Sequence, residues 1–231
     1  RLVLRDVETS GDLGELSGRI AANLTRINNQ DGVIVDSAFE FDKVQLKPLI
    51  PSIDSQLNGS ITLLANMTPR QLWGSLNCSE IVGELQGLDL RFICDVNLNE
   101  EGLVKVNSFE LSQGNNHVKG KGQFELSSGL NTNALVTKPN EVAYDEWVNN
   151  TESALDLVIK VNDLSSLYSS AGGSINGVAK IQGKVDKPVV AANLKVDGFV
   201  FNDLELDSAL LDIALDLNKD WQTEIKLSAN D

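Results

Sequence analysis

Apolar and polar residues alternate with a period of two along most of this chain. In the clearest stretch Leu88, Leu90, Phe92, Cys94, Val96 and Leu98 fall on one side, and Asp89, Arg91, Ile93, Asp95 and Asn97 on the other. Leu155, Leu157, Ile159 and Val161 repeat the pattern, as do Val190, Ala192, Leu194 and Val196, and then Leu211, Ile213, Leu215 and Leu217. Successive side chains of a strand point to opposite faces, so this pattern predicts half-buried β-strands. A parallel strand covered on both faces by helices would instead read as a continuous apolar run.

The connections fit the same picture. Asn29-Gln-Asp-Gly32, Asn99-Glu-Glu-Gly102, Gln113-Gly-Asn-Asn116 and Val196-Asp-Gly198 are read as turns, because Asn, Asp and Gly tolerate the left-handed backbone that tight hairpins need. Short connections imply mostly antiparallel neighbours. Helical signals are few. Asp163 to Gly172 carries a capping Asp, Leu164 and Leu167 three apart, and a terminal Gly, which predicts one or two turns; Lys47 to Gln56 is a second candidate. Residues 137–150 lack alternation and are read as a longer loop. The fold class expected is all-β: a long, mostly antiparallel sheet with few short helices, in one continuous unit over residues 1–231. A loose internal repeat, seen in Gln56-Leu-Asn-Gly-Ser-Ile-Thr-Leu63 and again in Gly172 to Gly183, predicts growth by similar strand groups without a strict period.

Charge narrows the possible partners. The formal charge is −14 and the isoelectric point lies near 4.4. A nucleic-acid partner is thereby disfavoured, since binding one requires Lys and Arg to displace counterions from phosphates. Adsorption to anionic headgroups through a basic face is disfavoured too. No apolar run reaches the ~20 residues of a membrane-crossing helix. The chain starts at Arg1 without an initiator methionine and ends inside a strand-like pattern. It is therefore read as a segment of a longer chain, with any membrane anchor outside it.

Candidate chemistry is sparse. Cys78 and Cys94 belong to no CxxC motif, and His117, the single histidine, cannot complete a zinc site with them. The two cysteines are read as a disulfide, which implies an oxidising compartment and would stabilise the fold by roughly 3 kcal/mol for a loop of about 15 residues. The competing reading is a pair of buried thiols packed as small hydrophobes. Acidic pairs such as Asp36 and Glu40 are spread over polar faces and turns, where solvated carboxylates are expected. No phosphate loop, dinucleotide fingerprint or nucleophile elbow occurs. The expectation is a protein that is not an enzyme, with no metal and no cofactor.

What remains is the apolar face. Alternation alone is consistent with the closed core of a sandwich or barrel. It is equally consistent with an open trough, because no helical layer is available to cover so many strands.

The segment Asp163-Leu-Ser-Ser-Leu-Tyr168, followed by Ala171-Gly-Gly-Ser-Ile-Asn-Gly-Val-Ala-Lys-Ile-Gln-Gly183 and Lys187-Pro-Val-Val-Ala-Ala-Asn-Leu194, resembles the TamB family. Gly173, Gly177, Gly183, Pro188, Ala191 and Leu194 fill the positions of its recurring strand motif. Pro48-Leu-Ile-Pro51 with Leu57-Asn-Gly-Ser-Ile61 looks like an earlier copy, as does Cys78 with Gly83 to Gly87. The resemblance implies a strongly curved sheet forming an open apolar groove, the β-taco, in an AsmA-like protein of the Gram-negative envelope related to bridge-like lipid transfer proteins. It implies a periplasmic location with an inner-membrane anchor not present in this segment. The partners implied are phospholipid and the outer-membrane barrel protein TamA, whose contact can lie outside this segment; unfolded outer-membrane or autotransporter strands are the alternative cargo. The function implied is acyl-chain sheltering or transport in outer-membrane biogenesis. The lipid-facing residues expected are Leu88, Leu90, Phe92, Val96, Leu155, Leu157, Ile159, Val161, Leu194, Val196, Leu211, Ile213 and Leu215.

Overall fold

A computed structural model describes residues 2–11, 14–27, 30–45, 47, 54–68, 71–85, 87–125, 151–202, 204–217 and 222–230. Thirteen strands are present among them: β1 (Leu2–Gly11), β2 (Gly14–Ile27), β3 (Gln30–Val44), β4 (Ser55–Met67), β5 (Leu72–Leu85), β6 (Leu88–Leu98), β7 (Leu103–Gln113), β8 (Asn116–Glu125), β9 (Glu152–Val161), β10 (Ala171–Lys184), β11 (Pro188–Phe201), β12 (Leu204–Asp216) and β13 (Gln222–Asn230). They form one sheet in strict chain order, and every neighbouring pair is antiparallel. β1 and β13 do not meet, so the sheet is a long, strongly curved open meander and not a barrel.

The turns follow the local chemistry. The Asn99 side chain accepts the N–H groups of Glu101 (3.0 Å) and Leu103 (2.8 Å), closing the β6–β7 connection. Gly114 at φ 55 and Asn115 form a two-residue connection between the paired Gln113 and Asn116. Between β9 and β10 lies a single 3-10 turn, Leu164–Ser166, capped by Asp163, whose carboxylate accepts the Ser165 N–H at 2.9 Å. The capping reading and the expectation of one or two turns are therefore right, but Gly172 does not end the turn and lies inside β10. The expected turn at Val196-Asp-Gly198 is also different. It lies inside β11, where Gly198 (φ 59) stands against Gly173 (φ 97) at a shift in the β10–β11 register. The backbone freedom that a hairpin needs serves a bulge there instead. The helix candidate at Lys47 to Gln56 lies mostly outside the described residues, though Ser55 and Gln56 open β4, and the loop at 137–150 lies wholly outside them.

Curvature comes from extra residues and missing side chains. Ser79 of β5 has no counterpart in β4 or β6: Ile61 pairs with Cys78 and Ser60 with Glu80, while Cys78 pairs with Cys94 and Ile81 with Phe92. Asn107 of β7 is likewise extra, between Val96–Val106 and Asp95–Ser108. Such bulges bend a strand and increase its twist. Their side chains are tied down on the spot, Ser79 Oγ to Ser60 Oγ at 2.7 Å and Asn107 Nδ2 donating to Asp95 Oδ2 at 3.2 Å. Glycines complete the bend. A Cβ on Gly18, Gly74, Gly122 or Gly177 would collide with the backbone of the adjacent strand, and one on Gly120 with the ring of Phe109.

The polar face is laced by cross-strand charge. Glu80, Arg91, Glu110 and Lys119 form a chain over four strands, with contacts of 2.8, 3.8 and 3.1 Å. Exposed pairs of this kind contribute little individually, but they set register and keep that face wet.

Gly177→Val should lower the stability of the chain by about 1–3 kcal/mol in urea denaturation, the usual cost of forcing volume into a close contact. An unchanged midpoint would show that the strands do not approach so closely at this bend.

Candidate apolar groove

Register places the alternating apolar residues in continuous rows. Leu155 aligns with Ile181, Val190 and Leu215; Leu157 with Ala179, Ala192 and Ile213; Ile159 with Gly177, Leu194 and Leu211; and Val161 with Ile175, Val196 and Ala209. The rows extend backwards through the sheet. Ile159 reaches Phe92 through Val118 and Leu111, and Leu155 reaches Val96 through Gly122 and Val106. Leu90 pairs with Gly83, and Leu88 with Leu85. All the residues expected from the sequence to line the groove thus share one face. From Leu88–Leu98 of β6 to Ala209–Leu215 of β12 these rows carry no charged residue; beyond Ala209, Asp207 and Glu205 of β12 lie on the same face.

The face is only partly buried. Val161 and Val196 are buried, whereas Leu88, Leu90, Phe92, Val96, Leu155, Leu157, Ile159, Leu194, Leu211, Ile213 and Leu215 are half-buried. On the other side Asp89, Arg91, Asp156, Lys160, Asn193, Lys195 and Asp212 are exposed. Besides Leu57, Val161 and Val196, the buried apolar residues are the small ones: Cys78, Cys94, Ala179, Ala192 and Ala209. In a closed core the large side chains would be the most buried. Here the floor is covered and the long side chains above it are left partly free.

Several lining residues escaped the sequence reading. Phe39 and Phe41 face Gly18 and Gly59, and Phe109 faces Gly120. The aromatic at each position lies opposite a glycine in the next strand, and for Phe39 and Phe109 the ring occupies the space that a Cβ would need. The Phe39-Glu-Phe41 alternation was a usable signal; the glycine partners only register could supply. Asn116 was read only as part of a turn. It is buried, donates to Asp163 O (3.3 Å) and Ser166 Oγ (2.8 Å), and accepts the Asp163 N–H (3.2 Å), so it pins the 3-10 turn to β8. The Ser165 hydroxyl and N–H hold the Asp163 carboxyl below the usual carboxylate range.

Alternation fails in places. Leu64, Val82, Val158, Val178 and Leu210 stand exposed, and Val158 and Val178 are direct partners. A shallow hollow of about 410 Å³ beside them is lined by Ile93, Glu110, Lys119, Lys121, Asp156 and Val158. No group of residues able to hold a metal ion occurs among the described residues. No helix among them is long and apolar enough to cross a membrane.

One open antiparallel sheet, apolar along one face and charged along the other, defines a groove-forming β-protein. The family model for the TamB N-terminal domain matches residues 9–140 and 130–231. The chain belongs to the TamB family, a family associated with the cell envelope. No curated protein and no solved structure matches it.

Leu157→Ala should cost about 1–2 kcal/mol in urea denaturation, below the 2–5 kcal/mol of a Leu→Ala change in a closed core. A loss at the upper end of that range would show the face to be sealed.

Proposed function

We propose that the apolar face shelters phospholipid acyl chains and carries them between the inner and outer membranes, in support of outer-membrane biogenesis. The observation that carries this reading is the run of half-buried Leu, Ile, Val and Phe side chains, uninterrupted by charge, from β6 to β12. Burying a methylene is worth about 0.8 kcal/mol, so a groove of this kind holds an acyl chain by length and leaves the headgroup in water. The expected setting is the periplasm, with an inner-membrane anchor elsewhere in the parent chain and a TamA-like barrel as the outer-membrane partner. Family membership supports that setting.

A second reading takes the same half-buried apolar groove as the seat of an extended polypeptide, with an unfolded outer-membrane or autotransporter strand as the competing cargo.

Photo-crosslinking residues at Phe92 and Ile159 should capture phospholipid, while the same probes at Asp89 and Lys160 should not. Equal labelling at the four sites would defeat the lipid reading, and saturable capture of β-signal peptides without lipid would favour the second. Ile213→Arg should abolish lipid capture with a smaller loss of thermal stability. Collapse of the fold without a selective loss of lipid would mark the face as a closed core.

A further inference from the structure

At the bend of the groove two cysteines face each other. Cys78 of β5 and Cys94 of β6 are direct register partners, 5% and 6% exposed, and both are thiols in this structure. The extra residue Ser79 follows Cys78, and the extra Asn107 of β7 lies at the Asp95–Val96 step just after Cys94, so the pair sits where the strands turn. Directly opposed residues of antiparallel strands have Cα atoms about 4.5–5.5 Å apart, inside the roughly 4.4–6.8 Å that a disulfide spans. The same two residues lie on the apolar face, among Ile61, Leu76, Ile81, Phe92, Val96 and Phe109. No charged side chain from β4, β5, β6 or β7 stands among these neighbours.

We propose that Cys78 and Cys94 form a disulfide staple across the bend, closed by thiol–disulfide exchange before the groove has curled and sealed by the fold afterwards. The oxidant is a disulfide, either that of a dithiol oxidoreductase or a small one such as oxidised glutathione. One cysteine thiolate attacks a sulfur of that disulfide and expels the first thiolate, leaving a mixed disulfide. The second cysteine thiolate attacks the first cysteine's sulfur and expels the other. Two protons leave the cysteines, one S–S bond forms in the chain, and the oxidant is reduced to two thiols.

The timing follows from the surroundings. Whichever cysteine attacks first, Cys78 must act as the nucleophile in one of the two steps. In the folded chain its thiol is pushed up to about 12, by burial first and by the adjoining Cys94 thiol second. Only the thiolate attacks. At neutral pH it is then roughly a 10⁻⁵ fraction, against a few per cent for an ordinary thiol near 8.5. The unfolded chain therefore closes the staple quickly, and the folded, reduced chain closes it slowly. The closed bond is shielded from reductants by the same burial.

The test uses the whole chain in a glutathione redox buffer at neutral pH, with alkylation in denaturant as the readout. Chain refolded in the buffer should resist alkylation until it is reduced. Chain folded as the dithiol and then moved into the same buffer should take up two alkyl groups for at least about a hundredfold longer. Two reactive thiols in the refolded chain would overturn the staple, and equal closure times would overturn its sealing. In the folded dithiol the closure rate should keep rising about tenfold per pH unit beyond 8.5, where an ordinary thiol levels off. A plateau there would contradict the buried site. Lipid enters none of these measurements, so their outcome is independent of the cargo.

Discussion

The structure rests on a single layer of sheet that has to keep one face apolar without a second layer to cover it. Hydrophobic burial normally drives two layers together. Here the same drive can be met only by curling the sheet on itself, and the sequence supplies the means. Extra residues at Ser79 and Asn107 bend the strands, glycines such as Gly120 and Gly177 let neighbours close in, and small residues such as Ala179, Ala192 and Ala209 line the floor. The charge chain from Glu80 to Lys119 keeps the opposite face in water. Without the curl, the face would be a large exposed patch open to aggregation.

A lipid conduit has an energetic requirement that differs from that of a receptor. An acyl chain in a bilayer already enjoys the full transfer free energy of its methylenes, so a groove that offered much more would trap it. On the proposed lipid reading, half-buried Leu, Ile and Val side chains would offer an acyl chain about what the membrane offers. Passage along the rows from Leu155 to Leu215 would then be close to neutral, with direction set at the two ends and not by the groove wall.

Much of this was legible in the alternation itself. The stretch Leu88 to Leu98 fixed its own faces, and the apolar-face positions of β9, β11 and β12 followed from the same rule. The curl was not legible, because a bulge reads in sequence as a slip of phase: Ser79-Glu80 and Asn107-Ser108 look like lapses in the pattern when they are the bends. Asp197-Gly198 misled for a related reason, since a left-handed glycine serves a hairpin or a bulge and only the partner strand decides. The meaning of Phe109 was hidden in Gly120, a residue of the next strand. The question that alternation left open, closed core or open groove, turned on whether large side chains would find cover, and that depends on the whole sheet.

The strict chain order of the strands has a consequence for size. Neighbouring strands are spaced about 4.8 Å apart, so thirteen of them in sequence make a trough roughly 60 Å long. Adding or deleting one hairpin changes that reach by about 10 Å while leaving the width, which each strand sets through its own bend, untouched. Length and bore are separate variables in such a protein, and the distance to be bridged can be adjusted by counting strands.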